Sequence, residues 1–432
     1  MTPGARLQAA IDILSAIDET RHPADRVFDA WARKSRFAGS KDRAAVSELV
    51  YSVLRHRAAL VEAVGGESPR LLALAAISLI EGAGPAHAMA LADGARHAPA
   101  ALGPEEAAAL RAAALPGSDA PAHLRLNYPE WLHAEFERAY GASLEREMAA
   151  LMERAPTDLR VNLLKTGRDE AREALAAENV ETEPTPHSPW GLRLLSRANI
   201  PGLRAFRDGL IEVQDEGSQL ACFLTGARPG EQIVDLCAGG GGKSLALASL
   251  MANRGQIHAC DTDRRRLGKL MPRAQRAGAR NVQTRFISPL AIPAGPDAEF
   301  SDLAGRADCV LVDAPCSGSG AWRRSPDARW RLTPELLESY RATQREVLAR
   351  GAALVRPGGR LVYVTCSLLP SENEDQVAGF LASHPDFTAL PWADFWPENL
   401  SPPLAAEGAA LRLSPASTGT DGFFIAVMER RR

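Results

Sequence analysis

The regular alternation of short apolar runs with longer helical segments, which begins after Gln214, constrains the fold of this sequence more than any other feature. Five of these runs have the length of a strand and lie at residues 233–236, 256–260, 282–287, 307–312 and 359–365. Nearly continuous apolar strands that alternate with helices are typical of a parallel sheet with helices on both faces. A late run at 423–429 predicts a final, antiparallel strand. Residues 214–432 are therefore predicted to form an α/β domain with a doubly wound, Rossmann-like sheet.

Two segments of different character precede that domain. Residues 1–123 carry helical periodicity, including the apolar run Leu71–Ile80, and predict an all-helical domain. Residues 124–213 instead predict a small α+β subdomain. Its elements are strands near 158–164, 192–195 and 210–213, a helix at 168–178 and a Pro-rich turn at 184–189. The chain thus predicts three domains, with boundaries near residues 123 and 213.

The composition describes an ordinary globular protein and limits its partners. Hydrophobic residues make up 46% of the chain and the net charge is −3, so a nucleic-acid partner must be bound by a local basic patch. The longest apolar run is far shorter than the roughly 20 residues of a membrane span. The six cysteines include no Cys-x-x-Cys pair, which argues against zinc and, in a cytosolic chain, against disulfides. We expect a cytoplasmic protein with no metal site and no membrane anchor.

Two strand ends carry the groups that are best suited to chemistry. The strand at 307–312 runs into Asp313-Ala-Pro-Cys316, and the strand at 359–365 runs into Cys366. Ligands of open α/β sheets bind outside the carboxyl ends of the strands. If these two strands are neighbours, both thiols and the Asp313 carboxylate face one cleft. Two thiols and an acid do not suit hydride or phosphoryl transfer, but they suit the addition of a nucleophile to a pyrimidine ring.

The glycine-rich turn after the first strand predicts a cofactor site. Gly239–Gly242 allows a ligand to approach the backbone where a side chain would clash. The following Lys243-Ser244 suggests a phosphate-binding P-loop, but that motif requires a glycine at the position of Cys237. The spacing therefore argues against a nucleotide hydrolase. Asp261, about 20 residues further on, ends the second strand and is predicted to accept hydrogen bonds from the ribose hydroxyls of a cofactor.

Taken together, three motifs resemble a known family. Asp235-Leu-Cys-Ala-Gly-Gly-Gly-Gly-Lys243, Asp313-Ala-Pro-Cys-Ser-Gly318 and Thr365-Cys-Ser367 are similar to those of the RNA cytosine-5 methyltransferases of the RsmB/NOP family, bacterial Fmu/Sun type. The resemblance covers residues 210–432 and implies a Rossmann-like class I S-adenosylmethionine methyltransferase domain. Residues 1–123 resemble the all-helical, NusB-like antitermination-factor domain of this branch. The stretch 126–213 resembles its small RNA-contacting subdomain.

The resemblance also implies a cofactor and a role for each reactive residue. S-adenosylmethionine is the implied cofactor, Cys366 the nucleophile, and Cys316 the residue that assists product release. Asp313 is implied to contact the ring nitrogen and the exocyclic amine of the target cytosine. Spacing alone does not say which cysteine attacks. The implied cofactor contacts, with Ser288 standing where many relatives have an acidic residue, are Cys237, Ala238, Gly239, Gly240, Gly241, Gly242, Lys243, Asp261, Ser288 and Asp313.

RNA contacts are predicted near the same strand ends. Arg323 and Arg324 follow the loop of Cys316 directly, and they and Lys243 are predicted to contact RNA. The eight basic residues between Arg264 and Arg285 are predicted to be mainly solvated. A solvated strand edge is also predicted for three polar residues of the small subdomain, namely Arg160, Asn162 and Lys165.

These observations favour one reaction over its alternatives. Methyltransferases that act on exocyclic amines carry Asp/Asn-Pro-Pro-aromatic where this chain has Asp313-Ala-Pro-Cys316, which disfavours that chemistry. We predict a monomeric, cytoplasmic enzyme that makes 5-methylcytosine in small-subunit ribosomal RNA, with transfer RNA as the rival substrate. A non-catalytic RNA-binding or ribosome-assembly factor with the same fold is the second alternative. The presence of Asp313, Cys316 and Cys366 argues against it.

Overall fold

The computed structural model describes residues 1–289, 298–397, 400–404 and 408–432, and the chain divides into two compact units. The helical unit contains Met1–Arg154 together with Trp322–Thr333. The sheet unit contains Ala155–Ala321 and Pro334–Arg432. This division differs from the predicted boundaries near residues 123 and 213.

The helices of the first 154 residues explain the later boundary. They are α1 (Pro3–Thr20), α2 (Ala24–Lys34), α3 (Ser40–Arg55), α4 (Arg57–Val64), α5 (Pro69–Ala75), α6 (Gly84–Ala90), α7 (Pro104–Ala112), α8 (Ala122–Arg125), α9 (His133–Tyr140) and α10 (Leu144–Met152). The segment after residue 123 is anchored among them, because the buried side chain of Asn127 accepts a hydrogen bond from Ala59 N at 3.1 Å. Helices α8 to α10 therefore belong to the helical unit, whereas the strands that follow do not.

The core of the helical unit follows the helical periodicity of the sequence. The apolar stripe of α3 is buried and packs with α1, α4 and α5. The predicted helix at Leu71–Ile80 is observed as α5 and a continuing turn of π-helix at Ala76–Ile80. Among the described residues, no single helix is long and apolar enough to cross a membrane. One bent pair of helices, Arg57–Val64 with Pro69–Ile80, is together long and apolar enough, judged by length and composition only.

The sheet unit begins with a small antiparallel sheet. Its strands are β1 (Asp158–Val161), β2 (Thr182–Pro184), β3 (Gly191–Leu194) and β4 (Ile211–Val213), and its helices are α11 (Arg168–Ala176) and α12 (Arg204–Arg207). The strand order is β2-β3-β1-β4. Three strands and α11 match the predicted α+β subdomain. Strand β2 was missed, because Pro184 lies at the end of a sheet-edge strand, where a missing N–H is tolerated.

The large sheet of this unit has the predicted doubly wound order. Its strands are β5 (Gln232–Asp235), β6 (Gln256–Asp261), β7 (Val282–Phe286), β8 (Ala307–Asp313), β9 (Val355–Thr365), β10 (Phe387–Leu390), β11 (Ala410–Leu413) and β12 (Phe423–Arg430). The order is β10-β12-β9-β8-β5-β6-β7, and β11 pairs with β12. Strands β5 to β9 are parallel, and β12 is antiparallel to β9 as predicted.

Helices flank this sheet and complete the Rossmann-like architecture. They are α13 (Glu216–Phe223), α14 (Gly242–Leu250), α15 (Arg264–Leu267), α16 (Leu270–Ala277), α18 (Pro334–Leu354), α19 (Glu374–Ser383) and α20 (Pro415–Thr418), while α17 (Ala328–Arg331) lies in the helical unit. Two apolar clusters, one on each face of the sheet, bury its strands between these helices. The fold class predicted for residues 214–432 is confirmed.

Polar residues join the small sheet to the large one. Arg160 donates to Gly242 O at 2.7 Å, and Asn162 Nδ2 donates to Ala277 O at 2.7 Å. Lys165 Nζ donates to Arg276 O at 2.6 Å. Arg160 and Asn162 are buried, so the predicted solvated edge is wrong for them. The physical reason is that Asn162 and Lys165 satisfy carbonyls at the end of α16, which have no partner within the helix, while Arg160 reaches across to the first residue of α14.

Candidate active site

The two cysteine-bearing strand ends lie side by side. Strands β8 and β9 are parallel neighbours, with Asp313 in register with Val364, so the loops that follow both strands leave the sheet at the same edge. Cys316 Sγ lies 3.5 Å from Cys366 Sγ, and both thiols are free and half-buried. The hydrogen bond to Cys366 and burial raise the pKa of the Cys316 thiol well above its usual value. Cys316 is therefore protonated at neutral pH.

A charged pair stands next to the thiols. Lys243 Nζ, on the first turn of α14, donates to Asp313 Oδ2 at 2.7 Å. Burial alone would lower the pKa of Lys243, but the Asp313 carboxylate more than offsets it, so that the pKa is raised. The ammonium also lies 5.6 Å from the ring centre of Phe423. The pair holds the Asp313 carboxylate, which is one-third exposed, at the edge of the sheet.

The strand ends open into one cleft. The cleft has a volume of about 450 Å³, and its walls include Cys237, Asp261, Ile287, Asp313, Cys316 and Cys366. The two thiols therefore share one space with three of the predicted cofactor residues, Cys237, Asp261 and Asp313, as expected from strands β8 and β9 being neighbours. Thr343, Val347 and Arg350 of α18 close one side of it. Sequence analysis did not single out α18, because helical periodicity does not show which helix covers a strand end.

The glycine-rich turn has the backbone conformation that requires glycine. Gly239 and Gly241 have φ values of 56° and 83°. A Cβ on Gly241 would lie 2.4 Å from Leu270 Cγ, and one on Gly239 would lie 2.5 Å from Arg266 Nη2. Gly239 N donates to Asp261 Oδ2 at 2.7 Å, which fixes the turn to the end of β6. The positive φ angles disfavour larger residues at both positions, and at Gly241 the Leu270 side chain adds a steric clash.

A buried acid supports this turn from below. Asp235 is fully buried at the end of β5, and its Oδ2 accepts from Ser244 Oγ at 2.6 Å. Burial raises the pKa of Asp235 to about 7, although the hydrogen bond from Ser244 opposes this. The sequence analysis names Asp235 only as the first residue of a motif. Its position just before the glycine-rich turn was the one local signal of a supporting role, because the depth of its burial is visible only in the folded chain.

Ser288 lies away from the wall of the cleft. The side chain is exposed, and its hydroxyl donates to Glu299 Oε1 at 2.7 Å. Ser288 N also points to Glu299, at 3.0 Å from Oε2, so this acid takes up both donors of Ser288. Its neighbours Ile287 and Pro289 line the cleft instead. The residues on either side of Ser288 that line the cleft are therefore apolar. The acidic residue at this place is Glu299, which the sequence analysis did not single out.

The arginines after the Cys316 loop belong to the helical unit. Arg323 is only 6% exposed, and Arg324 is half-buried. The segment Trp322–Thr333 is fixed there, since Asp327 Oδ2 accepts from Ala24 N at 3.2 Å and Trp330 Nε1 donates to Leu54 O at 2.7 Å. Little of Arg323 is accessible to a phosphate in this structure, and the RNA contacts of Arg323 and Arg324 stay predictions.

Four arginines of the basic stretch in α15, α16 and β7 have partners within the sheet unit. Arg273 and Arg276 both pair with Glu212 of the small sheet. Arg285 pairs with Asp302 at 2.6 Å, and Arg264 lies 3.7 Å above the Phe286 ring. The prediction that this stretch is mainly solvated is therefore wrong for Arg273, Arg276 and Arg285, which are half-buried, whereas Arg264 is exposed as predicted. Long-range partners, which the local sequence does not show, account for the difference.

No cluster of three or more His, Cys, Asp or Glu side chains that could hold a metal ion occurs among the described residues. The thiols and carboxylates that line the cleft fall into two groups. Asp313, Cys316 and Cys366 form one group, and Asp261 with the glycine-rich turn forms the other.

Comparisons with known proteins identify the family. Residues 223–429 match the 16S rRNA methyltransferase RsmB/F family, and residues 128–201 match its RsmF/B-like, ferredoxin-like domain. A probable ribosomal RNA small subunit methyltransferase B of Synechocystis is 36% identical over 307 residues, which cover 70% of this chain and 67% of the relative. The corresponding probable enzyme of Bacillus subtilis is 33% identical, over 71% and 67% of the two chains.

Solved structures agree with this result. The crystal structure of the protein PH0851 has a TM-score of 0.77 and 26% identity, and covers 100% of this chain and 99% of its own. A methyltransferase homolog protein from Pyrococcus horikoshii has a TM-score of 0.60 and 29% identity, over 72% and 98% of the two chains. The chain therefore belongs to the RsmB/F family of RNA methyltransferase enzymes.

Proposed function

We propose that this protein is an S-adenosylmethionine-dependent RNA (cytosine-5) methyltransferase that acts on small-subunit ribosomal RNA through a covalent adduct of Cys366. The separation of 3.5 Å between Cys316 Sγ and Cys366 Sγ, beside Asp313 in one cleft, carries the proposal. Two thiols this close to each other can act on neighbouring atoms of one pyrimidine ring. The names of the relatives suggest the ribosomal substrate.

The cleft fits S-adenosylmethionine, which would supply a methyl group on a sulfonium. The Asp261 carboxylate lines the cleft and is suited to ribose hydroxyls, and it also fixes the glycine-rich turn by accepting from Gly239 N. Cys237 and Ile287 give the cleft apolar walls suited to an adenine ring. The finer assignments to Ala238, Gly242, Lys243 and Ser288 remain predictions.

The residues of the cleft perform a three-stage reaction on the base. Cytosine carbon 5 is too electron-poor to attack a methyl group, so the Cys366 thiolate first adds to carbon 6 and makes carbon 5 nucleophilic. Asp313 contacts the ring nitrogen and the exocyclic amine, where it stabilises the charge that develops on addition. After methyl transfer, carbon 5 loses its proton to a base, the ring regains its double bond, and the Cys366 sulfur leaves.

Cys316 is suited to the last stage. Because its pKa is raised, this residue is a neutral thiol beside the sulfur of Cys366 and can interact with that sulfur as it departs. The target base must first leave its stack, which costs a few kcal/mol and favours cytosines in loops.

The helical unit offers a surface for RNA, in keeping with the proposal that it is NusB-like. The end of α2, the start of α3 and the turn between them carry four exposed cations, for which no ion pair is found among the described residues: Arg33, Lys34, Arg36 and Lys41. Phe37 stands among them and is 77% exposed. Cations bind phosphates, and an exposed ring can stack on a base. We call these five residues the α2–α3 surface.

A denaturing gel of the protein after incubation with ribosomal RNA and labelled cofactor tests the proposal. We expect a covalent protein–RNA band that accumulates in Cys316→Ala, because release is impaired, and that is absent from Cys366→Ala. Cys222→Ala, which changes a buried cysteine outside the cleft, is the matched control and should behave as the wild type. A band that depends on Cys316 instead would exchange the two roles.

Two alternatives are separated by the same assay. Label that enters transfer RNA and not ribosomal RNA would make transfer RNA the substrate and leave the chemistry unchanged. RNA binding without methyl transfer to any RNA would favour a non-catalytic ribosome-assembly factor. The intact triad of Asp313, Cys316 and Cys366 argues against the second outcome.

A further inference from the structure

The loops that carry the two thiols are joined by a buried carboxylate that no step of the proposed reaction uses. Glu372 lies in the short turn Pro370–Glu372 after β9 and is completely buried. Its Oε1 accepts from Ser317 N at 2.9 Å, and its Oε2 accepts from Ser367 Oγ at 2.5 Å. Ser317 follows Cys316 in the chain and Ser367 follows Cys366. One carboxylate thus binds the residue next to each thiol.

Further hydrogen bonds fix this carboxylate in position. Ser317 Oγ donates to Oε2 at 2.5 Å, and Gln344 Nε2 of α18 donates to Oε1 at 3.0 Å. Gln344 Nε2 also donates to Pro315 O, at 2.9 Å, in the first cysteine loop. All of these donors are neutral, so the carboxylate acts here through directed hydrogen bonds and not through an ion pair. Four donors on two oxygens leave little freedom to either loop.

The backbone around Glu372 is tied to the second loop as well. Tyr363 OH donates to Glu372 O at 2.7 Å, and the neighbouring Asn373 donates to Ser367 O at 2.9 Å. The backbone also joins the two loops directly, because Gly320 N donates to Cys366 O at 2.9 Å. Each of these bonds joins only two segments, whereas the single side chain of Glu372 contacts both cysteine loops and α18.

We propose that Glu372 is a positioning residue that sets the separation of Cys316 Sγ and Cys366 Sγ, so that both thiols reach one pyrimidine. This inference rests on the proposed function. It is a new role, since Glu372 contacts neither the cleft wall nor either sulfur atom in the structure. Displacement of a reacting group by about 1 Å typically costs about 100-fold in rate. The thiol pair should therefore depend strongly on this carboxylate.

Three variants separate hydrogen bonding from charge. Glu372→Ala removes all four bonds, and we expect kcat for methyl transfer to fall about 100-fold while KM and the cofactor Kd stay within about twofold. Glu372→Gln keeps the shape, and its amide nitrogen can face the hydroxyls of Ser317 and Ser367, which can rotate to accept. We expect Gln to restore kcat to within about threefold of the wild type. Glu374→Ala, which removes a half-exposed partner of Arg412, is the matched control.

A second measurement reports the separation of the sulfur atoms without any RNA. Diamide oxidises two adjacent thiols to a disulfide and accepts two electrons and two protons, and the loss of free thiols gives the rate. We expect rapid closure between Cys316 and Cys366 in the wild type and in Glu374→Ala. Closure should be about tenfold slower in Glu372→Ala, because the loops sample wider separations. Cys366→Ser supplies the background rate of the other cysteines.

The two measurements distinguish failure of the proposed function from failure of the role of Glu372. If the wild type makes no 5-methylcytosine, the proposed function fails, while the oxidation rates still test the role of Glu372. Unchanged kcat and an unchanged oxidation rate in Glu372→Ala would overturn that role. So would a Gln variant as inactive as Ala, since the charge would then matter and not the bonds. If Glu372→Ala does not fold, Ser367→Ala removes the bond between Glu372 and the second loop, together with the contacts of Ser367 Oγ to Ser317, Ser319 and Leu369. Its kcat should fall about fivefold; no fall would refute the inference.

Discussion

The two thiols of the sheet unit and the α2–α3 surface of the helical unit present their functional groups in opposite ways. Cys316 and Cys366 are half-buried, 3.5 Å apart, and flanked by residues whose polar groups are hydrogen-bonded to Glu372. The side chains of Arg33, Arg36 and Phe37 stand in solvent, on a turn whose buried residues are Ser35 and Ala38. Chemistry on one base needs fixed atoms, whereas attraction of a flexible polyanion needs accessible charge. Substitutions should therefore act steeply in the cleft and gradually on the surface.

The largest effect in this comparison is expected from Asp313→Asn. The substitution removes the negative charge beside the thiols and leaves the size of the side chain unchanged, so kcat should fall about 100- to 1,000-fold. Single-turnover methyl transfer with a short cytosine-containing RNA measures it. A fall of less than threefold would remove Asp313 from the chemistry and weaken the contrast between the two regions.

Asp261→Ala should produce the next largest effect, in cofactor binding. Asp261 Oδ2 fixes Gly239 N, and its carboxylate lines the cleft, so its loss removes a ribose contact and loosens the turn. A hydrogen bond to a charged group contributes about 1.5–3 kcal/mol, which corresponds to a rise in the S-adenosylmethionine Kd of roughly 10- to 100-fold. Calorimetric titration measures it; an unchanged Kd would contradict the ribose role.

On the α2–α3 surface, Phe37→Ser and Arg36→Gln should act gradually. Loss of one stacked ring should weaken RNA binding about 5- to 10-fold, and loss of one cation should lower the salt slope of binding by about one. Fluorescence anisotropy with a single-stranded RNA at several salt concentrations measures both, and kcat at saturating RNA should not change. A collapse of kcat in either variant would erase the contrast between surface and cleft.

The last prediction concerns the pH dependence of stability, not activity or binding, and tests the burial of Asp235 beside the glycine-rich turn. Because burial raises the pKa of Asp235 to about 7, the folded chain keeps a proton there that the unfolded chain has lost above pH 4. Stability should therefore fall as the pH rises from 4 to 7, by up to about 1.4 kcal/mol per pH unit from this group. Asp235→Asn should lack that part of the decline in thermal unfolding curves. An identical pH profile would show that Asp235 ionises normally.

The sequence predicted the large sheet well and the placement of charged groups poorly. Strands β5 to β9 follow from apolar runs, since a strand buried on both faces has a distinct local pattern. Cys316, Cys366 and Asp313 could be brought together in advance because parallel strands end at one edge. The burial of Arg160 and Arg323 could not be predicted from the local sequence; Arg160, for example, donates to Gly242 O, which lies far away in the chain. Glu372 was also missed as a functional candidate, because its contacts are fixed only by the folded loops.

Because Trp322–Thr333 belongs to the helical unit, cutting the chain into two separate domains would have consequences for both of them. The polypeptide leaves the sheet unit immediately after the Cys316 loop and returns at Pro334. Within the helical unit it buries Trp322 and Arg329, whose guanidinium donates to Asn127 O at 2.6 Å. A shortened chain that starts at residue 155 would therefore expose the side chains of Trp322 and Arg329, which are buried in the full chain. The helical unit expressed alone would likewise lack its last segment, so the two units are interleaved parts that neither recombination nor simple truncation can separate cleanly.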